Sequence, residues 1–260
     1  MRRQEVFPCC LTIAGSDSGG NAGVQADLRA FHSYGVHGCT VFAALTAQNP
    51  SGVSAIHAVP AEFVGAQLDA VLGTYSIRAL KTGMLADPDA VAVVAERLAA
   101  HPEIVKVVDP VMIATSGARL VTAEAMKAIT ERLLPLATVI TPNLPEAEAL
   151  AGRSAPAREL AAIIAGRYGS AVLVKGGHVP GAAAVDVLYD GRGYEEFSAP
   201  WIADPVSTHG TGCSLAAALA AEFALGHGLS EAVRGAKEYV RRAIARSYFV
   251  GPGCGVLGFV

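Results

Sequence analysis

The feature that most restricts the fold is an alternation, repeated along most of the chain, of short apolar runs with stretches of helical spacing. Residues 7–14 are an apolar run ending at Gly15, and residues 24–34 then carry Val24, Leu28 and Phe31 at helical intervals. The unit recurs as strand 38–47, a shorter β segment at 53–59 and helix 61–72, then strand 79–84 and helix 88–100. It continues with strand 104–110 and helix 123–134, strand 138–141 and helix 144–150, then helix 158–168 and strand 171–175. Strands apolar on both faces and joined by helices imply βαβ crossovers, hence a largely parallel sheet. The texture changes at 185–189 and 194–197, whose alternation around Asp190-Gly191-Arg192-Gly193 predicts a β-hairpin. Helices 214–225 and 230–246 follow, then a glycine-rich tail at 251–255. No repeat, low-complexity segment or Pro/Ser-rich linker marks a boundary, so residues 1–260 are expected to form one α/β domain.

Composition narrows the partners. With 52% apolar residues, 17% charged residues and a net charge of -3, neither a nucleic-acid surface nor an acidic tail is expected. A small-molecule partner fits. Cys9, Cys10, Cys39, Cys213 and Cys254 are odd in number, form no CxxC pair and follow no secretory leader, which predicts a reducing, cytoplasmic setting. Met1-Arg2-Arg3 precedes an apolar stretch too short for a leader, read instead as a buried first strand. The run 214–225 is interrupted by Glu222 and too short to span a bilayer, so no membrane role is expected.

Chemistry concentrates in Thr208-His209-Gly210-Thr211-Gly212-Cys213, set just before an Ala-rich helix. Two glycines allow consecutive backbone N–H groups to converge, and the helix adds unpaired donors and the positive end of its dipole, which makes an anion cradle. A cysteine on that first turn is expected to favour the thiolate and to serve either as a base or as an orienting group. Gly15-Ser16-Asp17-Ser18-Gly19-Gly20-Asn21-Ala22-Gly23 is a polar loop after a strand, suited to a ligand at a sheet edge, but it is neither a Walker loop nor GxGxxG. Asn143 and Glu146 open a helix at capping-box spacing, which also suits a hydrated Mg²⁺ beside phosphates. Asp109 ends a strand on the same expected edge as a second carboxylate. Lys175 before Gly176-Gly177 offers a cation to nucleotide phosphates, or snorkels at its strand end. Gln48-Asn49 offers paired amides to a heterocycle, or a turn before Pro50. The other histidines, His32, His37, His57 and His101, lack metal-ligand spacing, and Cys9, Cys10 and Cys39 are read as small core hydrophobes.

Taken together, Leu11-Thr12-Ile13-Ala14-Gly15-Ser16-Asp17, Gly23-Val24-Gln25-Ala26-Asp27-Leu28, Ala47-Gln48-Asn49, Lys81-Thr82-Gly83-Met84, Asp109-Pro110-Val111-Met112, Thr141-Pro142-Asn143-Leu144-Pro145-Glu146-Ala147, Lys175-Gly176-Gly177-His178 and His209-Gly210-Thr211-Gly212-Cys213 resemble the hydroxymethylpyrimidine/phosphomethylpyrimidine kinases of thiamine biosynthesis, in the ribokinase-like superfamily. The resemblance implies a three-layer αβα sandwich with a mostly parallel sheet, a homodimer, and ATP- and Mg²⁺-dependent phosphorylation of 4-amino-5-hydroxymethyl-2-methylpyrimidine and then of its monophosphate. It implies that Gly15, Asp27, Gln48, Met84 and Val111 line the pyrimidine pocket. Asp109, Asn143 and Glu146 would manage Mg²⁺ and phosphates, Lys175, Thr208 and Lys237 would contact ATP, and Gly210, Thr211, Gly212 and Cys213 would form the anion hole. Cys213 stands where most relatives in the superfamily use aspartate. The chain departs from the family pattern at Asn21, where glycine is usual, though asparagine tolerates left-handed backbone better than other residues. It departs again at Arg29, where lysine is usual, and in the tail at Pro252, Val256 and Phe259. A pyridoxal or pyridoxine kinase is the neighbouring reading, and a non-catalytic vitamin-phosphate binder is the reading from another class.

Overall fold

The computed structural model describes residues 6–50, 52–112, 121–177 and 183–259; His178 of the Lys175 motif lies outside them. The elements run β1 (Cys9–Asp17), α1 (Gly23–Ser33), β2 (His37–Asn49), β3 (Gly52–Ala58), α2 (Ala61–Leu72), β4 (Ile77–Thr82), α3 (Pro88–Ala99) and β5 (Val105–Val108). They continue as α4 (Ala123–Ala128), β6 (Val139–Ile140), α5 (Leu144–Ala151), α6 (Ala157–Tyr168), β7 (Ala171–Val174), β8 (Ala183–Tyr189) and β9 (Tyr194–Pro200). The chain then forms α7 (Thr211–Ala224), α8 (Leu229–Ala245), β10 (Tyr248–Gly251) and β11 (Cys254–Val256).

Nine strands make one sheet in the order β3-β2-β1-β4-β5-β6-β7-β8-β9. From β2 to β7 every neighbouring pair is parallel, and β3, β8 and β9 pair antiparallel at the two edges. Alternate residues of each strand serve opposite layers. Leu11, Ile13, Leu80, Val108, Ile140 and Val172 pack against helices α2 to α6, whereas Cys10, Ala79, Val107, Val139 and Leu173 pack against α1, α7 and α8. The architecture is therefore the three-layer αβα sandwich with a mostly parallel sheet, of ribokinase-like form. Helix α7 is buried on nearly every side; its alanines let it lie close to the sheet and to both neighbouring helices, as an all-round apolar helix must.

Several boundaries differ from the sequence pattern, among them the start of α7 at Thr211 rather than at 214. Strand β1 continues through Gly15, Ser16 and Asp17, because β2 stays paired with it past a bulge, out to Asp17↔Thr46; the glycine-rich segment therefore begins as strand, and only its second half is loop. The α-helix expected at 123–134 ends at Ala128, widens through a π turn (Ile129–Leu133) and then tightens into a 3₁₀ turn (Leu134–Leu136). Pro135, which has no N–H to donate, sits where the α pattern fails. The tail is a small antiparallel hairpin, β10–β11, turning at Gly253 with φ 70°. Gly258 donates to the Ala243 carbonyl of α8 at 3.0 Å, which ties the tail to that helix.

One buried ion pair crosses from sheet to helix: Lys81 Nζ on β4 lies 2.9 Å from Asp27 Oδ2 on α1, both side chains 0% exposed. Thr12 Oγ1 donates to the same oxygen at 2.6 Å. Removing one member of such a pair strands the other charge. Lys81→Met is expected to cost about 3–5 kcal/mol in urea unfolding, and adding Asp27→Leu is expected to recover much of that loss; equal stability of the single variant and the parent would contradict this.

Candidate active site

Parallel strands deliver their carboxyl ends to one edge of the sheet, and the loops leaving them enclose a cavity of about 340 Å³, a volume in the range of small-molecule sites. Gly15, Gln48, Met84, Asp109, Val111, Asn143, Glu146, Lys175, Thr208, Gly210, Thr211, Gly212, Cys213 and Lys237 all line it. Asp27 does not. Its carboxylate is spent behind the wall on Lys81 and Thr12, and Lys81 is the member of the pair that faces the cavity.

Asp17 shapes the first loop. Its carboxylate accepts from the backbone N–H groups of Gly19, Asn21 and Ala22 at 2.8, 2.9 and 2.8 Å, and His209 Nε2 stands 3.6 Å from its Oδ2. Burial disfavours the charge, but the neighbouring His209 and the hydrogen bonds from the three amides outweigh it and hold the carboxyl below its ordinary value. The left-handed turns of the loop fall on Gly20 and Gly23, with φ 76° and 57°, and Asn21 has no positive φ. Glycine at 23 is required, since a Cβ there would stand 2.3 Å from the Gly15 carbonyl oxygen.

The cradle is built against that loop. Helix α7 starts at Gly210, φ 89°, with no side chain capping its first turn, so its donors and dipole face the cavity. A Cβ on Gly210 would lie 1.8 Å from the Asn21 carbonyl oxygen, so only glycine permits this approach. A Cβ on Gly212 would lie 3.5 Å from Lys175 Nζ and 3.9 Å from Asp109 Oδ2, which places the cation and the carboxylate beside the helix start. Lys175 Nζ donates to Asp109 Oδ1 at 2.8 Å, and Thr141 Oγ1 donates to the same oxygen at 3.1 Å. Burial works against the Lys175 ammonium, but Asp109 and Glu146 more than reverse that and raise its pKa.

The electrostatics around Cys213 run against the thiolate expected from its place on the first turn. Burial pushes the thiol above its ordinary value; the Lys81 ammonium and the Gly23 N–H oppose this, while Asp27 and Asp109 add to it. Desolvation and the nearby carboxylates thus act against the thiolate that a place on a first helical turn favours.

Asn143 and Glu146 form the capping box that their spacing also allowed: Asn143 Oδ1 accepts from Glu146 N at 2.9 Å and Glu146 Oε2 accepts from Asn143 N at 2.8 Å. Both still line the cavity. Burial pushes the Glu146 carboxyl up, with Lys175 opposing and Asp109 adding.

At the other end, Gln48 Oε1 accepts from Thr46 Oγ1 at 3.2 Å and its Nε2 lies 3.3 Å from His209 Nε2. Met84 covers Gly15 so closely that a Cβ there would meet its Cε at 2.5 Å. Lys237 Nζ donates to Asp186 Oδ2 at 2.7 Å, and Gly176 N donates to Asp186 Oδ1 at 2.8 Å.

Asp17, Lys81, Asp186 and His209 were assigned no role on sequence, though Lys81 and Asp186 were each visible as a lone charge inside an apolar strand. Two of the departures meet in space: Arg29 donates from Nη1 to the Gly20 carbonyl, and its guanidinium lies 5.1 Å from the centre of the Phe259 ring.

Asp17 yields a prediction with a defined sign. A carboxyl held below its ordinary value stabilises the fold above the unfolded value of about 4 and loses that contribution as pH falls through the folded one. Asp17→Asn is expected to lower urea stability at neutral pH by about 1–3 kcal/mol, with the gap from the parent closing as pH falls below about 4; a gap independent of pH would contradict this.

The sequence matches the family model described as "Phosphomethylpyrimidine kinase" over residues 17–258. It is 47% identical to a hydroxymethylpyrimidine/phosphomethylpyrimidine kinase of Rhizobium meliloti, over 90% of each chain. It is 44% identical to the thiamine biosynthesis bifunctional protein ThiED of Geobacter sulfurreducens, where the match takes in 99% of this chain and 54% of that longer protein. Among solved structures, an ADP complex of Bacillus subtilis pyridoxal kinase superposes with a TM-score of 0.89 at 36% identity, over 97% of both chains.

Proposed function

The chain belongs to the phosphomethylpyrimidine kinase family, and from that premise we propose that it transfers the γ-phosphoryl group of ATP to the hydroxymethyl oxygen of 4-amino-5-hydroxymethyl-2-methylpyrimidine and then to the resulting monophosphate. The observation that carries this reading is the convergence of an uncapped helix start, Lys175 and Asp109 at one end of a cavity whose other end presents the Gln48 amide. The first group meets transferring phosphate charge; the second meets a heterocycle with donors and acceptors on its rim.

The residues divide accordingly. Gly15, Met84 and Val111 pack the ring, and Gln48, oriented by Thr46 and His209, pairs with it. Lys175, Thr208 and Lys237 meet the nucleotide phosphates. Asp109, Asn143 and Glu146 supply hard oxygen donors, and the two buried carboxylates, whose charges oppose each other across the Lys175 ammonium, fit a hydrated Mg²⁺ that would neutralise phosphate charge when bound. The backbone N–H groups of Gly210 to Cys213 receive the charge that develops on the phosphoryl oxygens. The substrate oxygen bonds to the γ-phosphorus as the bond to the β-bridging oxygen breaks, the electron pair of that bond stays on the departing ADP, and the hydroxyl proton passes to solvent water. A neutral Cys213 thiol does not take that proton; it orients the hydroxyl while the surrounding charges carry the rate.

Exposed β3 at the sheet edge, with Ile56 41% accessible, supports a homodimer, because an unpaired edge invites a second chain. Free cysteines at all five positions support a reducing, cytoplasmic setting and the continuous sheet supports one domain. No helix among the described residues is long and apolar enough to cross a membrane.

A mass-resolved time course with the free pyrimidine, ATP and Mg²⁺ tests the reading: monophosphate should rise and then give way to diphosphate. The superposition on a pyridoxal kinase favours a second reading, which a larger kcat/KM for pyridoxal would establish; binding without any transfer would make the chain a vitamin-phosphate binder. Cys213→Ala is expected to cut kcat by about 10²-fold with little change in KM, and an unchanged kcat would remove the thiol from the mechanism. Gly15→Ala should push the Met84 methyl into the pocket and raise KM for the pyrimidine more than it lowers kcat; an unchanged KM would separate Met84 from the ring.

A further inference from the structure

A second group of ligand-type side chains lies at the opposite edge of the sheet. Cys9 opens β1, and His37 and Cys39 open β2. The strands are parallel with Cys9 paired to His37 and Leu11 to Cys39, so residue pairing and the two-residue alternation place all three side chains on one face. Cys9 Sγ and Cys39 Sγ are 3.6 Å apart, and one ligand atom from each of the three residues falls within 4.8 Å of the others. Both cysteines are nearly buried, at 5% and 8% exposed, while His37 is exposed and stacks on Tyr75 at 5.7 Å. A surface hollow opens at the cluster, lined by Cys9, His37, His32 and Tyr75 among others. From the start of β1 to its catalytic end is about 26 Å at the usual rise of a strand, so the group belongs to neither the cradle nor the pyrimidine end.

We propose that Cys9, His37 and Cys39 form a binding site for one thiophilic divalent metal ion of the Zn²⁺ type, with a fourth position open to the hollow. Two metal–sulfur bonds of about 2.3 Å at a tetrahedral angle separate their sulfurs by about 3.8 Å, close to the spacing already present. A direct disulfide would need the sulfurs to close to about 2.0 Å, a larger displacement between two packed strands. Imidazole and thiolate are the donors that borderline-soft ions prefer over hard ones. Binding replaces the two S–H protons, which leave to solvent; the histidine ligates as neutral imidazole, and no electron is transferred. Such an ion would clamp β1 to β2 at the edge remote from catalysis.

The test uses the reduced, tag-free full chain with Cys213→Ser and Cys254→Ser, so that the two remaining partly exposed thiols are silent. Titrated with Co²⁺ alone under anaerobic conditions, it is expected to develop thiolate-to-cobalt charge-transfer absorption that saturates at one equivalent and is erased by Zn²⁺. Cys39→Ala should abolish the band. Because a core variant can fail to fold, the exposed His37→Ala is the companion, expected to keep the parent's circular dichroism while weakening Co²⁺ binding at least about tenfold. The proposal is overturned by absence of the band, by its persistence at parental affinity in His37→Ala, or by an intact mass lighter by two hydrogens that shows the two thiols joined to each other instead.

Discussion

The site depends on how closely the start of α7 approaches the first loop. Gly210 sits against the Asn21 carbonyl with no room for a Cβ, and its left-handed φ turns the chain into the helix just where the loop closes. Each side needs the other. Asp17 gathers the loop by accepting three amides, and the same carboxylate faces His209, next in sequence to Gly210. Loop and helix start are thus set by one acid, three left-handed glycines and one close backbone contact. The donors of the cradle are in place before any anion arrives, which is the condition under which such donors lower a barrier rather than only bind.

Buried charge supplies the second constraint. Lys81 on β4 and Lys175, just past the end of β7, are each held by an aspartate: Lys81 by Asp27 at 2.9 Å and Lys175 by Asp109 at 2.8 Å. Both ammonium groups are raised above their ordinary range despite burial. Of these charges, the Lys81 ammonium lowers the Cys213 pKa while Asp27 and Asp109 raise it. Position on the first turn is only one contribution. Desolvation and two nearby carboxylates act against it.

Much of this was legible from residue order. The apolar alternation identified the parallel sheet because strands buried on both faces leave a periodic trace, and the cradle was legible because glycine spacing before an alanine-rich helix has few other uses. What required coordinates was direction and partnership. Asp27 reads as a plausible pocket residue until its carboxylate is seen turned onto Lys81. Asn21 reads as a glycine substitute until the left-handed turns are found on Gly20 and Gly23. The capping box of Asn143 and Glu146 and their place on the cavity wall are both present, a coincidence that spacing alone leaves open. The tail gave no signal as strand because its two strands are only four and three residues long and carry glycine; its last residues are held by Ala243 and Arg29.

The central claim is that preorganised donors and fixed charges, rather than a basic side chain, meet the transferring phosphoryl group, and that Cys213 stays protonated while they do so. The most direct measurement is the ultraviolet thiolate absorbance of the parent minus that of Cys213→Ser, followed from neutral to alkaline pH. The difference should remain flat at neutral pH and rise only above the ordinary thiol value of about 8.5. A full thiolate signal already present at pH 7 would contradict the account and return the cysteine to the role of base.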